Sequence, residues 1–83
     1  MDQDIILTRL TEMFREIFED DTLILTPQTA AADIPGWDSM NHITIVVETE
    51  QRFGVKFQTS EIEELRDVGE FITLIAKKTV RAD

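Results

Sequence analysis

The chain has 83 residues, enough for one small domain with a single modest core, here residues 1–83. Its 17 acidic and 8 basic side chains leave a formal net charge of -9, which repels nucleic acid and anionic membranes and favours partners that carry basic patches. The absence of cysteine excludes disulfides and thiolate metal sites, and 42% hydrophobic with 30% charged residues is the mix of a soluble globular domain rather than a disordered chain.

The chain begins Met1-Asp2-Gln3-Asp4, acidic where a signal peptide would be basic. Its longest apolar runs, Ile5-Ile6-Leu7 and Ile45-Val46-Val47, are far too short to span a membrane. A cytoplasmic protein is the expectation. The first helix is predicted from Gln3 to Phe18, with Asp2 or Asp4 at its start. Leu7, Leu10, Phe14, Ile17 and Phe18 recur at helical spacing, flanked by Ile6 and Met13. Glu19, Asp20 and Asp21 follow at the end where the helix dipole disfavours acids, so the helix stops there.

Thr22 to Trp37 form a long connection. Thr22-Leu23-Ile24-Leu25 reads as a short extended piece, and Pro27, three alanines and Pro35-Gly36 follow. A structureless stretch longer than about 12 residues in a small domain is usually functional, and it also serves as a crossover between two helices. Trp37, the single tryptophan, reads as a lid that packs this loop onto the helices.

A second helix is predicted from Ser39 to Phe53, closed by Gly54. Asp38 is the N-cap candidate and Ser39 lies beside it in the first turn, with Met40, Ile43, Val46, Val47 and Phe53 at roughly helical spacing behind. The first turn leaves backbone N–H groups unpaired and carries the positive end of the dipole, so a phosphate ester on Ser39 would be electrostatically favoured. Val55-Lys56-Phe57 is a linker with two apolar residues to bury. Ser60 and Glu63 have capping-box spacing and start a short helix that fades by Arg66. Asp67 and Glu70 open the last helix, Val68 to about Val80, with Val68, Phe71, Ile72, Ile75 and Thr79 on its buried face. Lys77, Lys78 and Arg81 lie in its last turn, where cations suit the dipole. The fold class is all-α: a four-helix bundle with three main helices and one short helix.

Catalytic readings do poorly. Ser39 and His42 are three apart and share a helix face, but a Ser/His hydrolase also needs an orienting acid and an oxyanion hole, and Asp38 is too close in sequence to orient His42 from behind. His42 is the single histidine, and the acidic run 19–21 does not continue into a calcium loop, so no metal site is expected. Two readings remain for Ser39: a plain helix-start residue in an acidic helical interaction module, or a modification site.

Several ordered segments decide between them by resemblance. Gly36-Trp37-Asp38-Ser39-Met40, the helix after it, and Arg52-Phe53-Gly54-Val55-Lys56-Phe57 resemble the acyl carrier protein family. Leu25-Thr26-Pro27-Gln28-Thr29 is similar to that family's loop after the first helix, and Asp67-Val68-Gly69-Glu70-Phe71-Ile72 to the segment opening its last helix. The resemblance implies an acyl-carrier-like bundle, free-standing and monomeric, without catalytic residues. It implies that Ser39, flanked by Asp38, receives a covalent 4′-phosphopantetheine arm from coenzyme A through a phosphopantetheinyl transferase. The arm's thiol would hold acyl groups as thioesters for fatty acid, polyketide or specialised lipid synthesis, and the space between helices can shelter an acyl chain. Met40, Val47, Glu48 and Gln51 would lie on or near the docking face for basic patches of partner synthases, ligases and acyl-transferring enzymes. Asn41, Thr44 and Arg52 depart from the acidic pattern of carriers in housekeeping fatty acid synthesis, which points to a dedicated pathway. The Gly-Gly-x-Ser pattern of peptidyl carriers is absent.

Overall fold

The computed structural model describes residues 2–79. Its elements are α1 (Gln3–Ile17), a single 3-10 turn (Ala31–Asp33), α2 (Ser39–Phe53), α3 (Thr59–Glu63) and α4 (Val68–Thr79). Three long helices and one short one form the expected all-α bundle. The C-terminal Val80 and Arg81 of the predicted last helix lie outside the described residues.

Helix α1 is the hub, packed against both α2 and α4. Asp2 caps it by accepting the Asp4 N–H at 2.9 Å. It ends one residue before the predicted Phe18, which serves as its C-cap. Its fully buried residues are Ile6, Leu10, Met13 and Phe14, while Leu7, Ile17 and Phe18 are partly buried. The stripe is thus rotated from the predicted one toward Ile6 and Met13, because α1 must fill the space between two partners rather than face one. From α4 come Val68, Phe71, Ile72 and Ile75, all buried as expected, with Thr79 partly so. Each fully buried large aliphatic or aromatic side chain contributes roughly 1.5–3 kcal/mol.

Helix α2 turns a different face inward from the one its most obvious apolar residues suggest. Ile45 and Thr49 are buried, while Met40, Ile43 and Val47 are 78%, 63% and 43% exposed. The Thr49 hydroxyl costs little in the core because it donates to the Ile45 carbonyl at 2.6 Å. Gly54 closes α2 in the left-handed conformation (φ 66°), where a side chain would be strained, and its N–H reaches the Glu50 carbonyl.

The long connection has no strand; Thr22–Leu25 is irregular rather than a paired extended segment. It is held by its own buried residues, Leu25 and Ile34, and by Arg15, whose Nε donates to the Leu23 carbonyl at 2.7 Å. Its middle docks on the start of α4: the Pro27 and Thr29 carbonyls accept the N–H groups of Gly69 and Val68, each at 2.8 Å. Those two donors belong to the first turn of α4 and have no partner within the helix, so the loop supplies it.

Beyond α2, Val55 is buried and Phe57 packs on Phe71 at 5.6 Å between ring centroids. The cap of α3 differs from expectation. Gln58 is the N-cap residue, and its N–H donates to the Glu61 carboxylate at 2.8 Å, two residues before the predicted Ser60–Glu63 pair. Both pairs have the same spacing, but only Glu61 also meets the Lys78 ammonium of α4, at 3.0 Å. At α4, Asp67 accepts the Glu70 N–H at 2.9 Å as predicted, and the Glu70 carboxylate reaches back to the Arg66 N–H.

Candidate functional site

The segment before α2 turns sharply through Pro35 and Gly36. Gly36 has φ 91°, a left-handed conformation that favours glycine. Its carbonyl accepts from the Asp38 N–H at 2.9 Å and from the Asn41 side-chain amide, so the turn is tied to the first turn of the helix. Asp38 caps α2 in the predicted way, accepting the Asn41 N–H at 2.9 Å.

Ser39 is therefore the first helical residue and not the cap. It is exposed, and among the described residues its hydroxyl has no hydrogen-bond partner. The backbone N–H groups of Ser39 and Met40 likewise point out of the helix start without an intrahelical acceptor. A negative group on the Ser39 oxygen would meet these donors and the positive end of the dipole. The serine is thus chemically free: nothing in the fold uses it.

Trp37 lies where a lid was expected. Its ring meets Phe14 edge-on at 5.2 Å and packs beside His42, and its Nε1–H donates to His42 Nδ1 at 3.1 Å. His42 is half-buried and tied down by that bond. A catalytic triad needs Nδ1–H to donate to a carboxylate; here Nδ1 accepts instead. Sequence reasoning did not anticipate this pair. Its signal was an aromatic donor and an imidazole five positions apart across a helix start, too weak to single out.

Two concavities flank the pair. A surface groove is lined by Asp38, Ser39, His42 and Ile43 together with Trp37. Behind it lies a cavity of about 50 Å³ between α2 and α4, lined chiefly by Ile45, Val46, Leu65 and Phe71, and bounded by the same Trp37 and His42.

The proposed docking residues share the outer side of α2. Met40, Val47 and Gln51 are exposed; Glu48 is half-buried. Glu48 is held by Arg52 at 3.3 Å, and Arg52 also meets Glu16 of α1 at 2.8 Å. Among the described residues no three His, Asp or Glu side chains gather as a metal site would require. Nor is any described helix long and apolar enough to cross a membrane.

The comparisons agree with this geometry. A family model described as a phosphopantetheine attachment site matches residues 8–75. An acyl carrier protein of Acidothermus cellulolyticus is 34% identical over 77 residues, covering 93% of this chain and 92% of its own. A meromycolate extension acyl carrier protein of Mycobacterium leprae is 31% identical over 75 residues, covering 90% of this chain and 65% of its own greater length. The solution NMR structure of a holo acyl carrier protein from Geobacter metallireducens matches with a TM-score of 0.82 and 40% identity, over 87% of this chain and 83% of that one. A match over most of the chain, reproduced in sequence and in fold, assigns this chain to the acyl carrier protein family, whose prosthetic group is a covalently attached 4′-phosphopantetheine.

Proposed function

We propose that Ser39 is the attachment point and that the chain, as one carrier domain, holds acyl intermediates without catalysing their chemistry. The observation that carries this reading is the division of labour at the start of α2: Asp38 does the capping, and the Ser39 hydroxyl is left exposed. In the attachment step Ser39 Oγ loses its proton and forms the bond to phosphorus, while the phosphoanhydride bond of coenzyme A breaks and the nucleotide leaves; a separate transferase supplies the catalysis. When bound, the arm supplies the thiol that this cysteine-free chain lacks. Asp38 fixes the helix start, and Trp37 with His42 forms the wall against which the arm would lie.

Partner enzymes, on this reading, dock in the cytoplasm on the outer side of α2 through Met40, Val47, Glu48 and Gln51. That side is more apolar and less acidic than the net charge suggests, since Met40, Ile43 and Val47 are exposed and Arg52 offsets Glu48. This favours a dedicated lipid or polyketide pathway, and the relative named for meromycolate extension supports the lipid alternative.

The test is mass spectrometry after incubation with coenzyme A and a promiscuous phosphopantetheinyl transferase. A gain of one phosphopantetheine, lost in Ser39→Ala, is expected. Because Ser39 does not cap α2, Ser39→Ala should also leave stability nearly unchanged. An unchanged mass, or a gain that persists in Ser39→Ala, overturns the assignment and leaves the interaction-module reading.

A further inference from the structure

Trp37 and His42 each line both the groove beside Ser39 and the internal cavity, so the contact between them holds the wall that the two share. The Trp37 Nε1–H donates to His42 Nδ1 at 3.1 Å, and an indole nitrogen can only donate. The bond therefore exists only while Nδ1 keeps its lone pair, that is, while the imidazole is neutral. The ring centroids are 6.1 Å apart and the planes are tilted by 23°. With so short a contact between the nitrogens, the rings lie side by side and the imidazole faces the edge of the indole. That edge is the positive side of the aromatic quadrupole.

A proton taken up by the neutral ring must go to Nδ1. It would set N–H against N–H across the 3.1 Å gap, with a cation at the positive edge of the indole. Neither ring can change its role, so the bond breaks and the rings part. Trp37 is well seated: Phe14 meets it edge-on at 5.2 Å, and its backbone N–H reaches the Ile34 carbonyl. Among the described residues the bond to Trp37 is the one hydrogen bond that the His42 side chain makes. The charged groups around the same two concavities are Asp38 at the start of α2 and Arg66 and Asp67 ahead of α4. The carboxylates attract an imidazolium and the guanidinium repels it. Asp38 and Asp67 are occupied with the Asn41 and Glu70 N–H groups, and among the described residues no carboxylate pairs with the ring. The contact with Trp37 is therefore the specific bond that the proton breaks.

We propose that this pair is a proton-operated latch. Neutral His42 pins the Trp37 side chain in the wall beside Ser39, and a proton on His42 releases it as the pH is lowered across the range of about 8 to 5 in which histidine changes charge. The latch does not depend on Ser39 carrying a modification.

The experiment is NMR of the unmodified full chain between pH 8 and 5. Trp37 supplies the single indole N–H of the chain, followed by its proton shift and its solvent exchange. Each exchange rate is divided by that of free N-acetyltryptophanamide at the same pH, and the ring carbon protons of His42 report its charge. The indole proton should move toward its free position in step with the His42 titration. Its normalised exchange should rise about two- to twelvefold, the change that one lost hydrogen bond is worth. His42→Asn keeps an acceptor at the Nδ1 position but takes no proton, so its indole N–H should stay bonded and its normalised exchange level. His42→Leu removes the acceptor and should exchange fast at both ends of the range. Far-UV circular dichroism at pH 5 checks that the helices remain. A His42 that takes no proton down to pH 5, or one that titrates while the indole proton and its normalised exchange stay still, overturns the latch. So does an equal rise in His42→Asn, which would mark a general loosening in acid. Should a variant fail to fold, the coincidence of the two titrations in the unaltered chain still decides.

Discussion

Gly69→Ala adds one methyl group where the long loop meets the first turn of α4. An ideal Cβ at that position lies 2.9 Å from the Pro27 carbonyl oxygen and 3.3 Å from the Pro27 Cβ. The nearest atom is backbone, so it cannot swing aside as a flexible side chain would. The same oxygen accepts the Gly69 N–H at 2.8 Å, and the neighbouring Thr29 carbonyl accepts the Val68 N–H at 2.8 Å. Moving the loop outward therefore strains both bonds, each contributing about 0.5–1.5 kcal/mol. Overpacking of this kind costs about 1–3 kcal/mol in total. Against it stands the better helix propensity of alanine, at most about 1 kcal/mol. The net expectation is a loss of about 1–2 kcal/mol, which in a domain of this size lowers Tm by about 4–15 °C. Thermal unfolding followed by far-UV circular dichroism measures it, and faster amide exchange at Val68 and Gly69 should accompany it. An unchanged or higher Tm would show that the loop gives way freely and that its carbonyls do not hold α4.

Two further outcomes follow from the surface charges. Arg52 bridges Glu16 of α1 and Glu48 of α2, but the Arg52 and Glu16 side chains are 39% and 64% exposed. A double-mutant cycle with Arg52→Ala and Glu16→Ala should give a coupling of about 0.2–1 kcal/mol that shrinks with added salt; a larger, salt-insensitive coupling would contradict the exposed geometry. The Gln58 N–H, and after it the Lys78 ammonium, hold the Glu61 carboxyl below the usual carboxylate range. Its folded value therefore lies below its unfolded one, so its contribution is complete above about pH 4.3 and is lost as pH falls through the folded value. Glu61→Gln should flatten that part of the acid-unfolding curve, and an unaltered slope would remove the bond from the account.

Helix ends were legible wherever a short-range device sets them. Asp38, Gly54 and Asp67 each act within a few residues of their own backbone, so α2 starts and stops where the residues say, and α4 starts there too. The α3 cap was misread because Gln58–Glu61 and Ser60–Glu63 offer the same spacing. What separates them is Lys78, seventeen residues beyond Glu61, which no local pattern contains. The long loop was rightly seen as a connection packed down by Trp37, but its grip on α4 is made by the Pro27 and Thr29 carbonyls, and backbone acceptors leave no trace in residue type.

The sequence by itself determined that this is an all-α carrier-like domain, with a serine placed at the start of its second helix behind a capping aspartate. The helices and the serine's place follow from composition, periodicity and neighbouring residues, and the carrier likeness follows from resemblance across several ordered segments. Only the tertiary structure decided which side of α2 faces α1. Met40, Ile43 and Val47 compete with Ile45, Val46 and Thr49 for the interior, and both sets have helical spacing. Packing against Met13 and its neighbours selects Ile45 and the self-satisfied Thr49, and leaves the first set exposed. Tertiary structure likewise converted Trp37 and His42 from two separate residues into one hydrogen-bonded wall beside Ser39. Their meeting depends on the loop being pressed onto Phe14, a contact between residues far apart in the chain.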